Sequence, residues 1–141
     1  NQFGLLGAEA NEIVPYKRPL SSMTPTIVMK DNELFFTTGS PGGSRIISAV
    51  LQSILNIIDF DMDLEQATFA KRIHHQWQPD ILEMELSIEN EMKDSLETMG
   101  YEIEIKEPLT CVQTIMFDKD KYYGYGDFRR PDAFASGKIN D

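Results

Sequence analysis

The chain has 141 residues, 41% of them hydrophobic and 26% charged, the balance of a globular protein with one core and too little length for two domains. Its formal charge of −10 argues against a nucleic-acid partner, because binding to phosphates needs a basic face and the cations here are scattered. No stretch approaches the roughly 20 apolar residues of a membrane span; the longest, IISAVLQSILNII, is interrupted by Ser48, Gln52, Ser53 and Asn56.

Residues 1 to 22 read as irregular, punctuated by glycines, Asn11, Pro15 and Pro19. The first residue is Asn1 and the opening has no obvious structural beginning, so the chain is expected to be a piece of something longer. TIVMK and ELFFTT flank the turn pair Asp31-Asn32, which predicts a β-hairpin. After GSPGGS comes RIISAVLQSILNIIDF, where Ile46, Val50, Ile54 and Ile58 recur every four residues beside Ile47, Leu51 and Leu55. That pattern predicts a helix with a wide apolar face, with Ser44 as its N-cap.

Asp63 stands three residues before Gln66, the spacing of a capping box, so a second, short helix is expected there. RIHHQWQPDILEMEL predicts a turn near Pro79 and a strand over residues 81–86. SIENEMKDSLETMG reads as the clearest helix: Ser87 caps it, Ile88, Met92, Leu96 and Met99 form its stripe, and Gly100 ends it. YEIEIK alternates as a half-buried strand, and CVQTIMF with KYYGYGD forms a closing hairpin. Together these predict an α+β fold, with helices packed on a largely antiparallel sheet.

The strand, glycine loop and helix over residues 33 to 58 carry the strongest chemical signal. Gly39, Gly42 and Gly43 permit unusual backbone angles and leave amide N–H groups open to a ligand, beside the positive end of a helix. Such a loop suits a phosphate, a carboxylate or an oxyanion formed during reaction. It is not a nucleotide-binding P-loop, since Arg45 follows Ser44 where Lys-Ser/Thr would be needed. On composition alone, a tight turn with no ligand is the better reading.

Ser21 and Ser22 sit in the proline-stiffened KRPLSSMTPTIV. Two hydroxyls can donate to one carboxylate, although by themselves a pair of turn-capping serines is the simpler reading. No Ser-His-Asp order accompanies them. His74 and His75 are neighbours that point to opposite sides of an extended segment, and no further ligand spacing completes a metal site. They are expected to join Trp77 in a packed polar-aromatic cluster. Asp118 and Asp120 do not begin a calcium loop, because the sixth and twelfth positions are Tyr123 and Arg129. Cys111, the single cysteine, reads as a small buried hydrophobe, and Asp127 as the partner of Arg129 or Arg130 in a local ion pair. No metal and no cofactor are expected.

KRPLSSMTPTIV, TGSPGGSRI, HHQWQPD and GYGDFRRPDAFASG occur in that order. From about Gly4 onward the chain resembles the C-terminal part of the small subunit of the γ-glutamyltranspeptidase family. That resemblance implies part of an N-terminal-nucleophile hydrolase with a four-layer αββα sandwich, residues 1–141 forming a single partial domain. It also implies a self-cleaving precursor whose new N-terminal threonine attacks γ-glutamyl amides such as glutathione. The glutamyl group then passes to water, amino acids or peptides.

Residue by residue, the resemblance gives Ser21 and Ser22, with Met23 beside them, the α-carboxylate of the glutamyl group. Gly42 and Gly43 become the oxyanion hole. Arg18 and Asp127 match family motifs and are assigned to structure. The nucleophilic threonine is not in this chain: Thr24, Thr26, Thr37 and Thr38 are internal, without a free α-amino group. The chain alone is therefore expected to be inactive, with the large subunit and the missing part of the small subunit as its partners. Self-association through an exposed edge and apolar face is expected of the isolated chain. The family implies a periplasmic or extracellular setting. Rival readings are a related acylase of the same superfamily, a small-carboxylate binding module, and a purely structural domain.

Overall fold

The computed structural model describes residues 7–86 and 90–137. In chain order its elements are β1 (Thr26–Lys30), β2 (Glu33–Gly39), α1 (Arg45–Ile58), α2 (Leu64–Phe69), β3 (Ile73–His74), β4 (Leu82–Met84), α3 (Asn90–Thr98), β5 (Ile103–Ile105), β6 (Gln113–Asp118) and β7 (Lys121–Gly126). Asp31 and Asn32 take φ of 54° and 67°, the two left-handed positions that let a two-residue turn follow the twist of β1 and β2. Lys119 and Asp120, at 47° and 67°, do the same between β6 and β7. The hairpins join through β2 and β6 into an antiparallel sheet ordered β1-β2-β6-β7.

The period of two along these strands sorts residues by face. Phe36, Thr38 and Thr114 are buried toward the helices, and the Thr38 and Thr114 hydroxyls bond each other at 2.8 Å. A register shift between Val28 and Met29 leaves Phe35 without a partner across β1. Phe35 thereby packs on the same core as Phe36, edge to face at 5.2 Å, with Ile57, Leu64 and Ala67. Complete burial of Phe36 stabilises the fold by about 1.5–3 kcal/mol. The opposite face is only partly covered: Ala135 lies against Gly124, while Ile27, Ile115 and Tyr122 are 69%, 50% and 72% exposed.

Helix α1 packs on β2, and α2 on β6 and β7, the α+β arrangement read from the element order. Asp63 starts α2 through both halves of a capping box, its carboxylate accepting from Gln66 N at 2.7 Å. Helix α1 is wider in apolar surface than its seat. It buries Ile46, Ala49, Val50 and Ile57, whereas Ile47, Leu51 and Ile58 stay about half exposed.

A second sheet, β3-β4-β5, lies against α1 through β3. Its β4–β5 pair is parallel, since α3 carries the chain across between them. The predicted stripe of α3 is not buried. Met92 and Met99 are exposed and no residue of the helix reaches the core, while Ser87 and Ile88 fall outside the described residues. Periodicity marks an apolar face but not what covers it.

Candidate anion-receiving site

Between β2 and α1 the chain runs Ser40-Pro41-Gly42-Gly43-Ser44. Gly42 has φ of 130° and Gly43 of 61°, so the turn depends on glycine at both positions. The carbonyls of Gly42 and Gly43 accept from Arg45 N and Ile46 N at 3.2 and 3.3 Å. Ser44 stands at the N-cap position, but its own backbone is helical and its side chain caps nothing. The two glycine carbonyls have already tightened the first turn.

Three consecutive carbonyls in the loop are thus held in place. Thr110 Oγ1 donates to Pro41 O, Arg45 N to Gly42 O, and Ser22 Oγ to Gly43 O at 2.7 Å. In a planar trans peptide the N–H points opposite to the C=O. Fixing Pro41 O and Gly42 O therefore fixes the amides of Gly42 and Gly43 as well. Neither amide donates to an acceptor among the described residues. They are unspent donors at the positive end of a 14-residue helix.

The bond from Ser22 brings the serine pair and the glycine loop into contact. Ser21 beside it is exposed, and its Oγ accepts from Met23 N at 3.2 Å. Met23 itself is 74% exposed. Both serines line a cleft of about 350 Å³ with Ser44, Ser48, His74, His75 and Gln76. Leu20 and Ile47 complete that lining, in which Ser22 is bonded to Gly43 O, His74 to Ser48 and Gln76, and His75 to Asp80. Arg45, the first residue of α1, clamps the loop from its far end. Its Nε and Nη2 meet Glu83 at 2.5 and 2.6 Å, and Lys106 Nζ joins at 3.2 Å. The hydrogen bonds from Arg45 hold the Glu83 carboxyl below the ordinary carboxylate range, and those to Glu83 raise Arg45 and Lys106.

A γ-glutamyltranspeptidase family model matches residues 1–137. The chain belongs to the γ-glutamyltranspeptidase family. It is 46% identical over 138 residues to the glutathione hydrolase proenzyme of Escherichia coli, an overlap covering 97% of this chain and 24% of that protein. It thus spans about a quarter of the length of this curated relative. Its fold matches a γ-glutamyltranspeptidase structure from Helicobacter pylori with a TM-score of 0.88 and 47% identity, over 92% of this chain and 73% of that one. A Pseudomonas nitroreducens γ-glutamyltranspeptidase complexed with L-DON matches at 0.88 and 34%, over 100% and 74%.

This transpeptidase-family chain also contains a buried ionic cluster of which the sequence gives only one edge. Asp127, wholly buried, meets Arg129 Nη1 and Arg72 Nη1, each at 3.1 Å. Arg129 in turn forms a two-pronged pair with Glu85, both contacts at 2.7 Å. Burial works against the charge of Arg129, but the bonds it donates to Glu85 raise its guanidinium above the usual value. Burial and the nearby Arg129 lower that of Arg72. The expected Asp127–Arg129 pair is present, whereas Arg72 and Glu85 join from positions more than 40 residues earlier. Arg18 lies exposed on the opening segment.

His74 and His75 diverge as the extended segment requires. His74 is buried, with Nδ1 2.8 Å from Ser48 Oγ and Nε2 3.1 Å from Gln76 Oε1. His75 Nε2 lies 3.0 Å from Asp80 and its ring stands edge-on to Tyr101. Trp77 is not in that packing. Its backbone takes φ of 72° and its side chain is 67% exposed, so the polar-aromatic cluster consists of His75, Asp80 and Tyr101. Cys111 is buried and unpaired, as a small hydrophobe would be. Among the described residues no three His, Cys, Asp or Glu side chains converge to hold a metal ion.

Proposed function

We propose that this chain is the C-terminal portion of the small subunit of a γ-glutamyltransferase and glutathione hydrolase. In that enzyme a threonine outside this chain attacks the carbonyl of a γ-glutamyl amide, the amine leaves, and the resulting ester is cleaved by water or by an acceptor amine. This chain supplies two parts of the site. Ser21 and Ser22, with Met23 beside them, hold the α-carboxylate of the glutamyl group, Ser21 through its hydroxyl and Ser22, whose single hydrogen is on Gly43 O, by fixing the segment; the Gly42 and Gly43 amides stabilise the oxyanion that forms at the carbonyl.

The bond from Ser22 Oγ to Gly43 O carries this reading. It ties the carboxylate-holding segment to the oxyanion loop, so one contact fixes the spacing between the ends of the glutamyl group. Donors in the glycine loop act mainly on charge that appears in the transition state, so they raise the rate more than the affinity. Glutathione and other γ-glutamyl compounds are the substrates. The exposed part of the outer face of the four-stranded sheet, at Ile27, Ile115 and Tyr122, receives the rest of the small subunit and the large subunit. Alone, the chain is inactive and self-associates through that face. The site faces the periplasm or the exterior, which fractionation of the full-length protein tests.

Assaying the full-length protein with a γ-glutamyl anilide and with acylated cephalosporins tests the assignment. Turnover of the anilide supports it. Turnover of the cephalosporins alone makes this a related acylase, and binding of small carboxylates without turnover makes it a binding module.

A further inference from the structure

We infer that Thr110 is a positioning residue for the Gly42 amide, a role that rests on the oxyanion reading of the glycine loop. The Thr110 hydroxyl donates its single hydrogen to Pro41 O. Pro41 O and the Gly42 N–H belong to one planar peptide, and this bond is trans, so gripping the oxygen turns the N–H to the opposite side. Ser40 shares the latch, with its Oγ 2.8 Å from both Thr110 Oγ1 and Pro41 O and 2.7 Å from Cys111 O.

Thr110 is itself held rigidly. It is 8% exposed, and its carbonyl accepts from the buried Arg72 at 3.1 Å. The flanking amides of Leu109 and Val112 donate to the buried Glu85 and Asp127 at 3.3 and 2.9 Å. The charged cluster therefore acts as a footing, and Thr110 carries its rigidity across to the loop. The same side chain fills the space that any substituent on residue 42 would need, since a Cβ there would lie 2.8 Å from Thr110 Oγ1. An oxyanion donor that is already aimed requires no reorganisation during reaction, and a misaimed one costs rate without loosening the substrate.

Two variants of the full-length enzyme test this: Thr110→Val, which keeps the shape and loses the hydroxyl, and Thr110→Ser, which keeps the hydroxyl. Thr110→Val is expected to lower kcat on a γ-glutamyl anilide by about tenfold or more, with KM changed less than about twofold. Thr110→Ser is expected to retain most of kcat. Amide hydrogen exchange at Arg45 and Ile46, whose N–H groups donate to Gly42 O and Gly43 O, should quicken by about tenfold in Thr110→Val and not in Thr110→Ser. Unchanged kcat in Thr110→Val, a loss confined to KM, or equal loss in both variants overturns the inference. If the parent enzyme fails to cleave the anilide, the functional reading fails instead. Exchange then still decides whether Thr110 holds the loop, and protection unchanged in Thr110→Val overturns that too. Should Thr110→Val not fold, Thr110→Ala gives the same two readouts and is judged by the same outcomes.

Discussion

Ser22 donates its hydroxyl hydrogen to the Gly43 carbonyl at 2.7 Å, across 21 residues of sequence. Gly43 O is also the acceptor for Ile46 N, so the serine bonds the oxygen that opens α1 and does not cap the first N–H groups of the helix. Ser44, in the N-cap position, leaves that task undone. The segment before β1 is thereby tied to the loop after β2.

Replacing Ser22 with Ala cuts that tie. One hydrogen bond of this kind contributes about 1 kcal/mol, so Tm should change little. The kcat/KM for a γ-glutamyl anilide should fall by about tenfold or more, because the loop and the carboxylate site lose their common reference. Steady-state kinetics of the full-length Ser22→Ala enzyme, beside Ser22→Thr as the variant that keeps a hydroxyl, measure it.

Gly42→Ala should be far more damaging than Gly39→Ala. At position 42 a Cβ meets Thr110 Oγ1 at 2.8 Å with φ of 130°, whereas at position 39 it meets nothing within 4 Å. Strain of about 1–3 kcal/mol is expected to displace the loop. The kcat should fall by about a hundredfold or more, the scale of losing an oxyanion donor. Gly39→Ala should stay near the parent value in the same assay.

The buried cluster should dominate stability in the assembled enzyme. Glu85→Gln leaves Arg129 facing a neutral amide in a site closed to water, at a cost of about 3–5 kcal/mol. Lys71 and Glu107 pair at 3.0 Å on the surface, and Glu107→Gln should cost less than about 1 kcal/mol. Denaturant midpoints of the two variants distinguish these outcomes.

Glu83 gives a pH signature. Its pKa is depressed in the folded protein, first by the hydrogen bonds from Arg45. It therefore contributes stability above its unfolded pKa of about 4.3, and that contribution is lost as pH falls through the lower folded value. The Tm difference between parent and Glu83→Gln should be full near neutrality and shrink in acid. A gap that widens as pH falls would contradict the assigned direction.

Local chemistry made much of the fold legible. Asp31-Asn32 announces its hairpin because few residues accept a left-handed backbone, and Asp63 with Gln66 announces α2 because the two sides of a capping box lie three residues apart. Parallel pairing of β4 with β5 has no such local sign, since it depends on where α3 sets the chain down. Arg72, Glu85 and Asp127 could not be matched as partners, because charge at a distance in sequence does not reveal shared burial. The same holds for Thr110 and Pro41. Trp77 departs from the packing expected of an aromatic residue, since its positive φ turns the side chain out to solvent. At the site, spacing alone left Ser22 and Gly43 as two turns, and only the fold brings them into contact.

Donor discrimination tests the central claim most directly. The full-length parent and Ser21→Ala/Ser22→Ala enzymes would be compared on a γ-glutamyl anilide and on the matching 4-aminobutyryl anilide, which lacks the α-carboxylate. The parent should prefer the carboxylate-bearing donor strongly, and the double variant should lose about tenfold or more of that preference in kcat/KM. A preference unchanged by removal of both hydroxyls would contradict the assignment of Ser21 and Ser22 to that carboxylate.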